Sequence, residues 1–380
     1  MPVVGMVGGG QLARMTHQAA IALGVGFRVM ATSSTDSAAR VCGDVRLGDH
    51  RSFDDLRAFG KGPDVLTFDH EHVPTEHLRT LEAEGLTVRP SSGALLHAQD
   101  KRVMRDRLAA LGMPIPRERA VDSLADVAGL AEQTGWPVVL KSVRGGYDGR
   151  GVWPVESPEA ARELLERLAD VQLMAEEYVD FRRELAVLVA RSPHGQAAAY
   201  PAVQTVQVDG ICREVLAPAP GLDDESAVAA QRLALSVADA LGVVGLLAVE
   251  MFQTDAGVLI NELAMRPHNC GHWTIEGART SQFEQHLRAV LDLPLGSPGA
   301  TAPHVVMANV LGGAVEDAAS VYARYTHVMA HDPAIRVHFY GKDVRPGRKI
   351  GHVTALGNDL DEVRGRAREA AAYLRGEEGR

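Results

Sequence analysis

Two glutamates interrupt neighbouring apolar segments in the second half of the sequence. Glu250 lies within the run at residues 246–252, and Glu262 lies near the end of the run at residues 257–263. The turn at residues 254–257 predicts a β-hairpin, which would make the two carboxylates cross-strand neighbours. Adjacent carboxylates repel each other unless a cation lies between them, and Mg²⁺ prefers oxygen ligands. We therefore predict a magnesium site here; the alternative is a pair of solvated acids on an edge strand.

A lysine at the end of an apolar strand directly precedes a glycine-rich loop. Lys141 ends the run at residues 136–141, and the loop at residues 144–151 follows at once. A lysine fixed beneath such a loop is how kinase-like nucleotide sites hold phosphates, although a plain hairpin turn would also use these glycines. Lys101 lies in the first turn of a predicted helix at residues 99–111. Because the helix dipole disfavours a cation there, we expect a phosphate near Lys101.

The elements that would position these side chains begin with a strand, a glycine turn and a helix. The strand is predicted at residues 3–7, and the helix follows Gly8-Gly9-Gly10. This pattern matches the dinucleotide fingerprint only in part, because no acid ends the next strand, and the turn could hold another phosphate instead. A later strand at residues 64–68 leads to Glu71, a candidate ligand contact, whereas His70 and His72 are expected to be solvated.

Two further segments complete the pattern. The apolar-then-acidic run at residues 173–179 predicts a hinge between lobes whose backbone could hold adenine, with Glu184 placed for a ribose. Strands are predicted at residues 304–311 and 335–340. The turn at residues 345–352 is a concentrated group of cations in an acidic chain, and its glycines and proline favour an anion site over a solvated surface.

The composition is that of a globular protein with an acidic surface. The chain has 380 residues, 46% of them hydrophobic, which is enough for about two or three domains. Its 39 basic and 49 acidic residues give a net charge of −10, so we expect neither nucleic acid nor a membrane as a partner. Three cysteines far apart, without a membrane-spanning or signal-like run, predict a cytoplasmic protein.

Six short motifs, spread over nearly the whole chain, together resemble one family. They lie at residues 8–12, 145–151, 259–264, 268–274, 281–284 and 345–349. With them the chain resembles the ATP-grasp superfamily, and within it the 5-(carboxyamino)imidazole ribonucleotide synthase family of purine biosynthesis. The resemblance implies an α/β and α+β fold of three domains. These are a Rossmann-like domain at 1–97, the ATP-grasp domain at 98–295 with a lid near 118–182, and a β-rich domain with a terminal helix at 296–380.

The resemblance also implies the ATP site. Lys101 and Lys141 would hold phosphates, and Glu184 would bind the ribose. Glu250 and Glu262 would ligate Mg²⁺, with Mn²⁺ as an alternative metal. The nucleotide-binding residues would be Lys101, Lys141, Gly145, Gly146, Tyr147, Asp148, Gly149, Arg150, Gly151, Glu176, Glu177, Val179, Glu184, Gln207, Asn261 and Glu262.

A second group would enclose the other substrates, bicarbonate and 5-aminoimidazole ribonucleotide. The residues around the reacting atoms would be Tyr147, Asp148, Arg150, Arg266, His268 and Lys349. The residues that bind the ribonucleotide would be Gln11, Leu12, Glu71, Arg266, His268, Arg348 and Lys349.

The chain departs from the family pattern at three positions. Cys270 replaces the usual Ser, Asp69 replaces a common Glu, and Gln207 stands where some members have His. These changes affect the fit of the site and remove no charged group that the chemistry needs. His268, Cys270 and His272 alternate and could share a face for zinc, but a fourth ligand is missing and Arg266 is close.

The implied reaction joins ATP, bicarbonate and 5-aminoimidazole ribonucleotide into the carboxyamino product, ADP and phosphate, through carboxyphosphate. A homodimer and a transient hand-off of the product to carboxyaminoimidazole ribonucleotide mutase are further expectations. One alternative is another ATP-grasp carboxylase or a formate-using purine transformylase. Another is a catalytically silent nucleotide-binding regulator, which would be expected to have lost a lid or magnesium residue, whereas this sequence keeps them all.

Overall fold

The N-terminal part of the computed structural model, which describes residues 1–146, 149–315 and 317–377, is a parallel sheet with helices around it. The strand order is β3-β2-β1-β4, and the predicted strand at residues 3–7 is confirmed with the same bounds. Gly24 ends α1 in a left-handed conformation, as its position after the apolar stripe predicts. The elements are β1 Val3–Val7, α1 Gln11–Leu23, β2 Gly26–Ala31, β3 Val45–Leu47, α2 Phe53–Phe59, β4 Val65–Phe68 and α3 Thr75–Ala83.

The next part is a second, antiparallel sheet with two helices against it. Its strand order is β5-β8-β6-β7. The helix predicted at residues 99–111 is shorter than expected because Asp100 ends α4 and caps α5, where its side chain accepts the Val103 N–H. The elements are α4 Ser92–Gln99, α5 Lys101–Ala110, β5 Glu118–Val121, α6 Leu124–Thr134, β6 Val138–Ser142, β7 Val152–Val155, α7 Pro158–Arg167 and β8 Leu173–Glu177.

A nine-stranded sheet forms the rest of the molecule. The order is β14-β13-β9-β11-β12-β15-β17-β16, and β10 pairs with β9. Its first half contains β9 Arg183–Arg191, β10 Ala197–Ala199, β11 Val203–Val208, β12 Ile211–Ala217, α8 Asp224–Ala240, β13 Gly245–Thr254, β14 Gly257–Ala264, a 3₁₀ turn Asn269–Gly271, α9 Thr274–Gly277 and α10 Gln282–Val290. Its second half contains β15 His304–Leu311, α11 Ala318–Ala323, α12 Tyr325–His331, β16 Arg336–Phe339, β17 Lys349–Gly357 and α13 Leu360–Leu374.

The C-terminal strands continue this sheet, because β12 pairs antiparallel with β15 at residues 214–217 and 305–308. The two strands predicted at residues 304–311 and 335–340 are both present, the first with the same bounds. Helix α13 packs its buried face on β15 and β17. The cationic turn that precedes β17, at residues 345–348, is therefore attached to the same sheet as Glu250 and Glu262.

Helix α10 fixes the N-terminal sheet to the nine-stranded sheet. Its His286 lies in the interior, where Nδ1 accepts the Leu246 N–H at 3.1 Å and Nε2 pairs with Thr67 Oγ1 at 2.8 Å. Leu287 and Val290 of the same helix pack into the core of the N-terminal domain. Through these contacts, α10 fixes the position of β4 relative to β13. Among the described residues, no helix is both long and apolar enough to cross a membrane.

Candidate active site

The two glutamates lie side by side across the β13–β14 hairpin. Glu250 pairs directly with Glu262, and the register shifts just after Glu250, so the predicted hairpin and pairing are confirmed. Burial and the neighbouring charge of Glu262 raise the pKa of Glu250 well above its usual range. A divalent cation would relieve that repulsion, and two carboxylates form a hard oxygen set that fits Mg²⁺. Within the described ranges no group of three or more acids, histidines or cysteines has the geometry of a complete metal site, so phosphate oxygens and water would have to supply the remaining ligands.

Lys141 is held by two side chains from different strands. Its Nζ lies 2.6 Å from Glu176 Oε2 and 3.1 Å from Asn261 Oδ1. Although burial alone would raise it, the nearby charges of Lys141 and Arg105 lower the pKa of Glu176 to about 2. The sequence predicts Glu176 beside adenine, but its carboxylate is occupied by these cations. An adenine contact at this position is therefore left to the backbone.

Lys101 lies between the paired glutamates and the glycine-rich loop. It is in the first turn of α5, as predicted, and its Nζ donates to Gly145 O at 3.1 Å and lies 3.6 Å from Glu262 Oε1. Asp100, the N-cap of that helix, also pairs with Arg144 at 2.9 Å. A phosphate placed here would meet both a lysine and the metal-binding acids.

The glycine-rich loop has a backbone conformation that favours glycine at four positions. Gly145, Gly146, Gly149 and Gly151 all have positive φ, from 73° to 84°. A Cβ at Gly151 would overlap the Ser142 hydroxyl. Of the predicted lid residues, Tyr147 and Asp148 lie outside the described residues, and Arg150 is exposed.

We call the region between Lys101, Lys141 and the paired glutamates the cleft. The predicted adenine and ribose contacts lie along one side of it. Glu177 pairs with Arg117 at 2.8 Å, and Val179 is half-buried. Burial raises the pKa of Glu184, an effect that hydrogen bonds from Gln207 and Thr205 partly offset. Glu184 and Gln207 therefore lie close together, as a shared ribose and adenine site requires.

On the other side of the paired glutamates lie the groups predicted for bicarbonate and the ribonucleotide. Arg266 Nε is 2.8 Å from Glu71 Oε2, so these two predicted contacts form one half-buried ion pair. His268 Nε2 is 3.4 Å from Glu250 Oε1, and burial lowers the pKa of His268 well below its usual value. Lys349 begins β17 directly after Arg348. The structure thus brings Arg266, His268 and Lys349 close to Glu250, at one end of the cleft.

A cavity of about 300 Å³ opens beyond this point, at the carboxyl ends of the parallel strands. Its lining includes the turn Gly8–Gly10, Ser37 and His50 on one side and Lys342 and Arg348 on the other. Residue Gln11 opens α1 beside it and is half-buried. Arg348, which lines this cavity, directly precedes Lys349 at the start of β17.

Comparison with known proteins gives the family. Three family profiles match in sequence order: a ribonucleotide synthetase preATP-grasp domain at residues 1–99, an ATP-grasp domain at 106–283, and a phosphoribosylaminoimidazole carboxylase C-terminal domain at 305–366. The chain is 58% identical over 376 residues to N5-carboxyaminoimidazole ribonucleotide synthase of Mycobacterium tuberculosis, covering 98% of this chain and 88% of the relative. The chain belongs to the N5-carboxyaminoimidazole ribonucleotide synthase family.

Solved structures agree with this family. The synthetase from Thermus thermophilus superposes with a TM-score of 0.87 at 37% identity, and 98% of each chain is covered. The synthase from Aspergillus clavatus, solved in complex with ADP and 5-aminoimidazole ribonucleotide, superposes with a TM-score of 0.89 at 33% identity, again over 98% of each chain. The predicted family, fold class and enzyme class are confirmed.

Leu12 is 5% exposed and packs with Met15, Phe283 and Tyr340, so its predicted contact to the ribonucleotide would use the backbone and stays a prediction. One expectation about the N-terminal domain of this family member is wrong. His70 is half-buried rather than solvated, and burial lowers its pKa to about 3. Its ring lies 4.4 Å from that of His50, because both side chains turn in toward the cavity. His72 is exposed, as expected.

The zinc alternative does not fit the geometry. A 3₁₀ turn at residues 269–271 breaks the extended alternation on which it depends. His268 Nδ1 lies 3.1 Å from Cys270 Sγ, whereas His272 points to Gln282, at 3.0 Å, and toward the ring of His352. The three side chains therefore do not face one point.

Two residues of the cleft were missed. Arg105 is fully buried and donates to Ile260 O and Asn261 O, at 2.9 and 2.8 Å, so it ties β14 to Glu176. The sequence feature that could have identified Arg105 is its place on the apolar stripe of α5, where a charged residue is unusual. Phe252 stacks on Phe181 at 4.7 Å, and strand alternation from Glu250 places it on the cleft face.

Proposed function

We propose that this chain carboxylates the exocyclic amine of 5-aminoimidazole ribonucleotide, using ATP and bicarbonate and releasing ADP and phosphate. The observation that carries the proposal is the position of the Glu250–Glu262 pair. Lys101 lies 3.6 Å from one acid and His268 lies 3.4 Å from the other, so the pair joins the phosphate side of the cleft to the ribonucleotide side. Family membership supports the same reaction, since the relatives carry its name.

The first step that we propose is attack of a bicarbonate oxygen on the γ-phosphorus of ATP, which gives carboxyphosphate and ADP. Lys141 and Lys101 would stabilise the charge of the phosphates, and the loop at residues 144–151 would exclude water. Glu250 and Glu262 would hold Mg²⁺, with Mn²⁺ as a substitute. When bound, the metal neutralises phosphate charge.

The second step is attack of the amine on the carboxyl carbon. The amine is uncharged near neutral pH, so positioning matters more than deprotonation. The new C–N bond forms as the C–O bond to phosphate breaks, and Asp148 would take the amine proton. Arg266 and His268 would stabilise the developing carboxylate, and Lys349 with Arg348 would hold the ribonucleotide anion.

Several finer expectations belong to the same proposal. The domain limits would be 1–97, 98–295 and 296–380, with the lid near 118–182. The enzyme would act in the cytoplasm, which its free, separated cysteines favour. It would form a homodimer and pass its product to carboxyaminoimidazole ribonucleotide mutase.

The test is ADP release by the purified chain with Mg²⁺ and ATP, varying the other substrates. We expect release only when bicarbonate and 5-aminoimidazole ribonucleotide are both present. Stimulation by formate with a different amine would instead indicate a transformylase, and stimulation by biotin would indicate a biotin carboxylase. Binding of ATP without hydrolysis under every condition would indicate a regulator.

A further inference from the structure

Gln282, at the start of α10, holds the backbone of His268 on both sides. Its Oε1 accepts the His268 N–H at 2.8 Å, and its Nε2 donates to His268 O at 2.8 Å. The second hydrogen of Nε2 meets His272 Nδ1 at 3.0 Å. Gln282 is 0% exposed, so every polar atom of its amide is used inside the protein.

The orientation of this amide is fixed by its partners. If Oε1 and Nε2 were exchanged, an oxygen would face His268 O and an NH₂ would face an N–H. The Gln282 backbone N–H also donates to Thr274 Oγ1 at 2.8 Å, and that hydroxyl donates to Gly271 O at 2.6 Å. The whole turn at residues 268–274 is thereby attached to α10.

The two hydrogen bonds from Gln282 to the His268 backbone, called the clamp below, determine where the His268 ring lies. The ring caps the 3₁₀ turn, since its Nδ1 accepts the Cys270 N–H. In the neutral ring an accepting Nδ1 leaves the proton on Nε2, and Nε2 is the atom 3.4 Å from Glu250 Oε1. The imidazole therefore presents an N–H donor at the end of the cleft where the carboxyl group would form.

We propose that Gln282 is a positioning residue that acts through His268. This inference rests on the proposed function, in which His268 contacts the reacting carboxylate. Loss of the clamp would let residues 268–270 shift, and a misplacement of about 1 Å is enough to reduce turnover about 100-fold. ATP binds on the lysine side of the cleft, so its KM would change little.

The same helix supplies a matched control. Gln285 is also 0% exposed and clamps one backbone residue in the same way, with Nε2 donating to Gly296 O and Oε1 accepting the Gly296 N–H, both at 2.8 Å. Gln282→Met and Gln285→Met therefore each remove a pair of hydrogen bonds to one backbone residue, one turn apart, and Gln282→Met also removes the contact to His272 Nδ1. Only the first clamp leads to the active site.

The experiment measures Tm, kcat, the KM for ATP and the ratio of carboxylated product to ADP for both variants. We expect both variants to lose Tm, Gln282→Met at least as much as Gln285→Met, with a kcat about 10- to 100-fold lower and a lower product ratio for Gln282→Met alone. Combined with His268→Ala, Gln282→Met should lower kcat no further than His268→Ala does. Equal kcat losses in the two methionine variants, or additive losses in the double variant, would overturn the inference.

If Gln282→Met does not fold, Gln282→Glu is the second variant. It keeps the acceptor for the His268 N–H and replaces the donor to His268 O, so kcat should fall while the KM for ATP is kept. Wild-type turnover from Gln282→Glu would contradict the positioning role. Failure of the proposed function is seen separately, as a wild-type protein that does not require bicarbonate and the ribonucleotide.

Discussion

Glu176 joins two buried cations and so holds the phosphate lysine in place. It lies 2.7 Å from Arg105 and 2.6 Å from Lys141, and all three side chains are almost fully buried. Glu176→Gln should lower the free energy of unfolding by about 3–5 kcal/mol at pH 7, because a buried cation loses its counter-charge. Urea denaturation measures this. Glu76→Gln, which removes the exposed partner of Arg79, is the control and should change little.

The stabilisation that the Glu176 carboxylate provides should decrease as the pH falls. The folded pKa of Glu176 is about 2, below its ordinary value of 4.5, so the ionised carboxylate stabilises the fold above about pH 4.5. That contribution is lost as the pH falls from about 4.5 toward 2. The gap in unfolding free energy between wild type and Glu176→Gln should therefore narrow over this window. A gap that stays constant would contradict the ion-pair role.

Glu262 is the more exposed of the two paired glutamates that we propose as metal ligands. Glu262→Gln halves the carboxylate charge offered to Mg²⁺, so we expect kcat to fall by roughly 100-fold or more while ATP still binds weakly. Steady-state kinetics at several magnesium concentrations, with ATP binding measured by calorimetry, test this. Glu163→Gln, an exposed change on α7, is the control. Wild-type turnover of Glu262→Gln at saturating magnesium would refute the metal assignment.

At the scale of elements, the turn between β1 and α1 depends on Gly8. Its φ is 110°, and a Cβ there would overlap Asp69 Oδ1. Gly8→Ala should therefore destabilise the protein by more than the roughly 1–2 kcal/mol of positive-φ strain alone, and raise the KM for the ribonucleotide. Gly24→Ala is the matched control, since Gly24 has φ 65° at the other end of α1 and open space around it. Equal losses in Tm would show that the close approach to Asp69 is unimportant.

A second prediction at the scale of elements concerns Lys349, the first residue of β17. Lys349→Ala should raise the KM for the ribonucleotide about 10- to 100-fold, because a charge-assisted contact to an anion is worth about 1.5–3 kcal/mol. The KM for ATP should change far less, since Lys101 and Lys141 belong to other elements, α5 and β6. Substrate titrations measure both constants, with the exposed Lys61→Ala as control. Equal rises in the two constants would argue against this division of the site.

Local patterns were enough to predict several of these elements. Alternation and a four-residue turn predict the β13–β14 hairpin and hence the Glu250–Glu262 pair. The Glu176–Lys141 contact could not be found in this way, because it depends on β6 pairing with β8, a strand distant in sequence, with Val139 opposite Glu176. The inward turn of His70 likewise depends on His50, which belongs to another loop.

For the whole molecule, the three sheets place the proposed substrates around one point. The resemblance to the ATP-grasp superfamily implies the α/β and α+β architecture, whereas the strand and helix patterns predict only individual elements. The sequence does not show that β12 and β15 pair, since strand partners far apart in sequence leave no local signal. That pairing is what attaches Lys349 to the sheet that carries Glu250.

The most direct test of the proposed reaction is the stoichiometry of labelled bicarbonate. With ATP, Mg²⁺ and saturating 5-aminoimidazole ribonucleotide, the enzyme should incorporate about one labelled carboxyl group for each ADP released, because the closed site keeps water from carboxyphosphate. Product is measured by trapping the labelled ribonucleotide, and ADP by chromatography in the same samples. ADP release without incorporation of label, or incorporation without ADP, would contradict the proposed carboxylation.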